Sequence, residues 1–384
     1  MKHNIMYFSS VSDLTSGASH SLVKLVSLVQ KAGHNVVVIL TEHGPIEDKL
    51  KQEKISYHVI KQCSWNVWMK NVADKKDFIY HLKYPLRQFI NKLAIQKITR
   101  LVRQYHIDVI HMNTLTSFVG AEVAKREHIK LVWHIREFME EDLGIEFCQP
   151  KKAVALVHQA NATIAISQAI DIKFAPIFAV DCHEVIYNGV SIEDYFIDKT
   201  PFSAGTIRLL SSGRIMPGKG QKDLLLALAM LSEQTRRKIV CDMIGNVESQ
   251  AYFDELMSIK EKYQLDNVHF HGFQNDTKAF FEKADVLCVC SKKEAFGRIT
   301  VEGMLSGALV IGTNSGGTKE IIDHHKTGYL YSPENAKELC TILEEVVKHQ
   351  EKAQKIAKKG QNKAIKMFSD TANAHSVTSV YDCV

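Results

Sequence analysis

Short apolar runs alternate with amphipathic stretches along the whole chain. In the first half they are Ile5 to Phe8, Val36 to Leu40, Tyr57 to Ile60, Val109 to His111, Leu131 to His134, Thr163 to Ser167 and Val185 to Tyr187. Near-continuous Val and Ile, without strict polar alternation, is the signature of parallel strands covered on both faces, and the stretches between them supply crossover helices. A second series follows at Ile207 to Ser211, Ile239 to Ile244, Val268 to Phe270, Val286 to Cys290, Leu309 to Gly312 and Gly328 to Leu330. The pattern predicts an α/β chain of two Rossmann-like domains, each built on a parallel sheet. Ligands bind beyond the strand C-termini of such sheets, so the two sheets are expected to face an interdomain cleft that holds the site.

Periodicity lapses between Asn188 and Thr206, where Ser191 to Pro201 ends on a helix-breaking proline, and a hinge is expected there. The expected divisions are a first domain of residues 1–190, a second of 191–363 and a C-terminal segment of 364–384. Met367, Phe368, Val377 and Tyr381 would anchor that segment as a helix crossing back to the first domain. A length of 384 residues suits two cores of roughly 150 to 200 residues each.

Composition removes several classes. With 45% hydrophobic and 24% charged residues, neither disorder nor a fibrous design is indicated. A net charge of +5 gives no reason to expect nucleic acid as a partner. The eight cysteines show no C-x-x-C pair and no metal-ligand spacing, and Val286 to Cys290 reads as a buried strand in which cysteine is a small hydrophobe. Reduced thiols, and a start that enters a strand without a signal-peptide core or a spanning segment, point to the cytoplasm.

The chemistry-bearing residues lie mainly in the second half. Gly213-Arg214-Ile-Met-Pro-Gly-Lys219-Gly220 follows the first strand of the second series and precedes an apolar helix from Asp223 to Leu231. A glycine-rich turn lets backbone approach a phosphate, and Arg214 and Lys219 could flank a pyrophosphate; a solvated turn with surface charges fits the same residues. Further on, the strand ending at Cys290 leads into Ser291-Lys-Lys-Glu294-Ala-Phe296-Gly297-Arg298-Ile299-Thr-Val-Glu302. Two carboxylates at this spacing could accept hydrogen bonds from sugar and ribose hydroxyls, with the amides between them offered to a phosphate. They could equally solvate a helix face.

In their combined order these elements resemble the retaining glycosyltransferases of family 4, which have the GT-B fold. The resemblance spans most of the chain and rests on Gly213-Arg214 with Lys219-Gly220, Glu294 to Glu302, Gly307 to Gly312, Gly316-Gly317 with Glu320, and Ile186-Tyr-Asn188-Gly-Val190. It implies that Arg214 and Lys219 hold the donor diphosphate, Glu294 the transferred sugar and Glu302 the ribose. Phe296, Gly297, Arg298 and Ile299 would line the phosphates, and Gly272-Phe273 would lie at the base. In the first half the resemblance points to Asn188, to the Ser16-Gly17 turn, which departs from the family's glycine pair at Ser16 or Ala18, and to His134 as a catalytic residue near the donor sugar. His111 ends another strand and reads more readily as structural, as do His269, His271, His324 and His325.

The implied reaction moves a hexose or N-acetylhexosamine, UDP-sugar favoured, by front-face transfer with retention, the departing phosphate helping to deprotonate the acceptor. The acceptor would be a glycan, a lipid-linked molecule or a protein, as in bacterial cell-surface polysaccharide assembly. No Asp-x-Asp occurs, and neither a metal nor another cofactor is expected. From Lys83 to Arg103 there are six Lys or Arg and no Asp or Glu, interleaved with Leu86, Phe89, Ile90, Leu93, Ile98 and Leu101. Such a helix could lie on an anionic membrane, with Trp65 and Trp68 at the interface, or pack its apolar face on the sheet. Two other readings keep the architecture: a nucleotide-sugar epimerase, which needs acid and base groups at the sugar, and a catalytically silent binding partner, whose phosphate ligands would be eroded. A Rossmann dehydrogenase is disfavoured because the first βα turn lacks G-x-G-x-x-G.

Overall fold

The predicted strands all take part in two parallel sheets. The structure, a computed structural model, describes residues 1–14, 17–69, 84–178 and 180–384. The first sheet contains β1 (Asn4–Phe8), β2 (Asn35–Leu40), β3 (Ser56–Val59), β5 (Val109–Met112), β6 (Lys130–Ile135), β8 (Ala162–Ala165) and β9 (Cys182–Val185), in the order β3-β2-β1-β5-β6-β8-β9. Only β9 is displaced along the sequence, ending where Val185 to Tyr187 was expected to begin. A separate antiparallel ribbon pairs β4 (Asn66–Trp68) with β7 (Ile145–Phe147).

The second sheet contains β10 (Ile207–Ser212), β11 (Ile239–Ile244), β12 (Val268–Phe270), β13 (Val286–Val289), β14 (Leu309–Thr313) and β15 (Tyr329–Tyr331), in the order β12-β11-β10-β13-β14-β15. In both sheets the chain starts in the middle and winds outward in two directions. That leaves a topological switch point between β1 and β5 in one sheet and between β10 and β13 in the other.

The chain divides into residues 1–189 with 370–384, and residues 190–369. These limits differ from those expected. The helix Gln350–Met367 runs through position 363, so the C-terminal segment parts at Ser369 and Asp370 rather than at 363. The stretch after Asn188 is not a free linker. The backbone N–H of Phe202 and that of Arg208 both bond to the Asp285 carboxylate, at 2.6 and 2.9 Å, and Lys199 Nζ donates to carbonyls at the end of the helix Lys278–Lys283, Ala284 included at 2.6 Å. A cation on the last carbonyls of a helix satisfies acceptors that have no partner of their own. Burial pulls the Lys199 ammonium down to about 8, against the charges of Asp285 and Glu282.

In the first unit, the helix Gly17–Lys31 lays Leu22, Leu25, Val26 and Val29 on the sheet, and the C-terminal helix Asp370–Cys383 adds Val377, Val380 and Tyr381 to the same core. Trp65 is buried as well. It stacks on Phe118 and Trp133 with ring centres 5.0 and 5.9 Å apart and donates its indole N–H to the Leu115 carbonyl. This corrects its expected place at a membrane interface, since an indole packed between two rings with its N–H satisfied has no reason to leave the core. The side chain of Trp68 lies outside the described residues. Among those residues, no helix is long and apolar enough to cross a membrane.

The helix Arg298–Leu305 carries Gly303 where a Cβ would fall 2.3 Å from Leu287 Cδ2 on β13. Leu287 therefore fills the space that a methyl would take. Gly303→Ala gains about 1 kcal/mol of helix propensity and loses about 1–3 kcal/mol to overpacking. Combined with Leu287→Val, the alanine should be better tolerated by about 1 kcal/mol or more than the sum of the single changes. Urea unfolding of the four proteins measures this, and additive effects would dismiss the packing account.

Candidate functional site

In the second unit the loops that leave β10 and β13 meet at the switch point. Gly220 lies at φ +65°, and a Cβ there would fall 2.0 Å from the Cys290 carbonyl oxygen. Only glycine allows the Gly213 to Gly220 loop to rest on the end of β13. The Lys292 N–H donates to the Gly218 carbonyl at 2.9 Å, which ties the two loops together. A third loop closes on the second in the same way. Gly317 N–H donates to the Glu294 carbonyl at 2.8 Å, and a Cβ on Gly316 or Gly317 would collide with the backbone of Glu294 or Phe296.

These approaches set Lys219 against Glu294, with Nζ 2.5 Å from Oε1. Both side chains are largely covered, at 25% and 15% exposure. Burial alone would push the Glu294 carboxyl up. The Lys219 charge and hydrogen bond outweigh it, aided by a hydrogen bond from Ser291 and by Arg214, and hold the carboxyl below its usual range. Arg214 is half exposed, and its Nη1 lies 3.2 and 3.1 Å from the two oxygens of Glu248. The Arg214 carbonyl accepts from Gln221 Nε2 at 2.9 Å, so the turn is braced by the first residue of the helix it precedes.

Glu302 lies one turn beyond Arg298, and their side chains pair across 3.3 Å. The helix they share starts after Gly297, at φ +91°. Beside Gly297 are two buried hydroxyls, Thr300 Oγ1 and Thr318 Oγ1, that have no hydrogen-bond partner. A helix start with orphan hydroxyls next to it is a place for an anion. Phe296 turns inward and meets Phe368 edge-on, with ring centres 5.9 Å apart, so its side chain is structural and only its backbone borders the site. Gly272 accepts from the Gly245 N–H at 2.8 Å, and Phe273 beside it is 60% exposed.

The sequence singled out Arg214, Lys219, Glu294 and Glu302 but gave no sign of the pairing of Lys219 with Glu294, of Glu302 with Arg298 or of Arg214 with Glu248. Nor did it single out Thr300, three residues after Gly297, or Thr318, directly after Gly316-Gly317. Among the described residues, no cluster of three or more His, Cys, Asp or Glu is set to hold a metal ion.

In the first unit, His134 is fully buried near the end of β6, with Nδ1 3.2 Å from both His111 Nε2 and Arg136 Nη2. Arg136 Nε donates to Asn113 Oδ1 at 2.8 Å and Nη1 donates to Asn188 Oδ1. Glu137 accepts from the Leu115 N–H at 2.7 Å and the Arg136 N–H at 3.1 Å. Arg136 and Glu137 border a cavity of about 890 Å³ together with Gln62, Lys97, Thr114 and Ser117. They lie two and three residues beyond His134, just past the end of a predicted strand, a position that could have revealed them. Gly17 opens its helix, while Ser16 lies outside the described residues.

The Lys219–Glu294 pair gives a pH test. An unfolded Glu titrates at about 4.3. The folded carboxyl lies lower, so its contribution to stability is present above that pH and is lost as pH falls through the folded value. In Lys219→Met, burial acts without its main opponent and the carboxyl titrates higher than in the wild type. The stability gap between the two proteins should widen as pH rises from about 3 to about 6, read by urea unfolding. A gap independent of pH would dismiss the pairing.

Two family models together match residues 15–363: "Glycosyltransferase Family 4" matches residues 15–194 and "Glycosyl transferases group 1" matches residues 193–363. The structure of Anabaena HepE in complex with UDP superposes with a TM-score of 0.82 at 24% identity, over 99% of this chain and 100% of that one. The same protein in complex with UDP-glucose gives a TM-score of 0.79 at 23% identity, over 100% of each chain. An uncharacterized glycosyltransferase of Methanocaldococcus jannaschii is 25% identical over 73% of this chain and 75% of its own length. The N-acetyl-alpha-D-glucosaminyl L-malate synthase of Bacillus anthracis is 23% identical over 61% of this chain and 64% of its own length. With both matches in order along the chain and the two parallel sheets in place, this chain belongs to the family 4 glycosyltransferases of GT-B fold.

Proposed function

We propose that this glycosyltransferase takes a UDP-sugar, the sugar being a hexose or an N-acetylhexosamine, and transfers it with retention to a glycan, lipid-linked or protein acceptor in bacterial cell-surface polysaccharide or glycoconjugate assembly. The observation that carries the donor half is the Lys219–Glu294 pair beside Arg214 at the switch point of the second sheet. A diphosphate entering there replaces Glu294 as the partner of Lys219 and frees that carboxylate for sugar hydroxyls. Gly297, Arg298 and Ile299 offer the helix start to the phosphates, with Thr300 and Thr318 as further donors, and Glu302 accepts from the ribose. Phe273, exposed next to Gly272, is assigned to the base. The similar structure of Anabaena HepE, solved in complex with UDP and with UDP-glucose, supports this choice of donor. Arg214 and Lys219 stabilise the charge that develops on the leaving diphosphate, and the reading needs no metal.

The acceptor is assigned to the first unit. Its cavity presents Arg136, Glu137, Gln62, Thr114 and Ser117 to a polyol, and Gln62 Nε2 is buried without a partner. His134 and Gly17 belong to the same proposed machinery. The enzyme is further proposed to work at the cytoplasmic face of a membrane. In support, the helix Tyr84–Gln104 leaves Leu86, Phe89 and Leu93 exposed at 58%, 59% and 42%. Those positions fall on one stripe, and Lys92, Lys97 and Arg100 on the same helix are also exposed. Its buried side, with Ala94, Ile98 and Val102, is packed, so the outer stripe is surplus to the fold. Lys83 lies outside the described residues.

Turnover of a panel of UDP-, GDP- and ADP-sugars without acceptor tests the donor. Hydrolysis is expected with a UDP-sugar, and Arg214→Ala should lower it roughly 100- to 1000-fold with the fold intact. Activity within about tenfold of the wild type would remove Arg214 from the mechanism. For the membrane, sedimentation with anionic vesicles should carry the protein down in a salt-sensitive way, and Leu86→Gln with Phe89→Gln should abolish this. Equal sedimentation of wild type and variant would refute it.

A further inference from the structure

Five buried side chains in the first unit form one line of hydrogen bonds. Tyr7 and Tyr381 share a contact of 2.6 Å between their hydroxyl oxygens. Tyr381 Oη lies 2.8 Å from His111 Nδ1. His111 Nε2 lies 3.2 Å from His134 Nδ1, which also faces Arg136 Nη2 at 3.2 Å. Tyr7 and His111 are register partners on β1 and β5, and Tyr381 reaches them from the C-terminal helix. Tyr7, His111 and His134 are each 0% exposed and Tyr381 1%.

The two ends of this line dictate its direction. Arginine has donors and no acceptor, so the His134 nitrogen that faces Arg136 must be the bare one. His111 then donates from Nε2 to His134 Nδ1, and its own Nδ1 is an acceptor. It accepts from the Tyr381 hydroxyl, whose oxygen accepts in turn from Tyr7. The far end requires the same order. If the line ran the other way, Tyr381 would donate to Tyr7, and the Tyr7 hydroxyl hydrogen would be buried with no acceptor. An orphaned buried donor costs about 1–3 kcal/mol. Both requirements leave the proton of His134 on Nε2, and that atom is buried with no partner among the described residues. Burial, with Arg136 adding to it, pushes both imidazoles well below their ordinary range, consistent with two neutral rings.

We propose that Tyr7, Tyr381 and His111 form a one-way relay that, with Arg136, locks His134 as the neutral Nε2–H tautomer, so that it meets a ligand oxygen as a hydrogen-bond donor and not as a base. His111, Tyr381 and Tyr7 are positioning residues, and the C-terminal helix takes part in the site through Tyr381. The tautomer follows from the geometry of the first unit alone. The identity of the ligand rests on the glycosyltransferase reading above.

The test is a two-bond proton–nitrogen spectrum of protein labelled in its histidine rings, with His111→Asn and His134→Gln used for assignment. Near neutral pH both rings should show the Nε2–H form. An Nδ1–H form or an imidazolium at His134 would overturn the relay, whether or not any sugar nucleotide turns over. The direction also makes the two tyrosines unequal. Tyr7→Phe removes only a donor to Tyr381 and should leave both histidine patterns in place, whereas Tyr381→Phe takes the donor from His111 Nδ1 and should shift that nitrogen's resonance while the Nε2–H form persists; the opposite ranking overturns the proposal. Adding UDP-glucose should shift the His134 Nε2–H resonance. An intact tautomer with no shift would refute the ligand-facing half, and a silent donor panel beside an intact tautomer would count against the donor reading only.

Discussion

Much of the second unit is arranged so that one ion pair can form. Lys219 and Glu294 come from different loops, 75 residues apart in sequence, and they meet because Gly220 lets one loop lie on the end of β13 while Gly316 and Gly317 press a third loop against the second. A half-buried pair of this kind adds little stability, since losing hydration offsets much of the attraction. Its value is that neither charge is left without a partner before a ligand arrives. On the proposed reading, a diphosphate takes over the lysine and a sugar takes over the carboxylate, and the fold holds both groups where the ligand needs them.

The first unit has a corresponding arrangement with neutral groups. Arg136 supplies the only positive charge in the line of hydrogen bonds and, because it cannot accept, it orders every proton as far as Tyr7. The Arg136 guanidinium is also held by Asn113 and Asn188, so the loops after β5 and β9 converge on it. Its neighbour Glu137 is fixed by two backbone amides. Hydrogen bonds from backbone amides hold a carboxylate in a fixed direction.

The strands were legible because burial on both faces writes itself into the sequence as unbroken Val and Ile. The glycine-rich turn was legible because only a glycine at position 220 can rest against the Cys290 carbonyl, and the two glutamates because their order after β13 matches a known pattern. Pairing was not. Nothing local tells Arg214 that Glu248 lies across from it, or Lys219 that its neighbour is Glu294, because both contacts depend on strand order. Trp65 read as an interfacial residue since basic and apolar residues follow it, yet its partners Phe118 and Trp133 come from distant strands and helices and draw it into the core. The C-terminal helix was visible as a few apolar anchors, but the hydroxyl of Tyr381, which matters more to the site than its ring, has no signature in one sequence. Gly303 is a similar case, since its reason is the Leu287 side chain on the adjacent strand.

The division of one ligand between Lys219 and Glu294 is tested most directly by calorimetric titration of UDP and of UDP-glucose into wild type, Lys219→Met and Glu294→Gln. Lys219→Met should weaken both ligands. Glu294→Gln should bind UDP at least as tightly as the wild type, because the lysine is released from a competing carboxylate, and should lose whatever affinity the glucose adds. If Glu294→Gln weakened UDP as much as UDP-glucose, the two residues would not divide the ligand and the account of the site would be wrong.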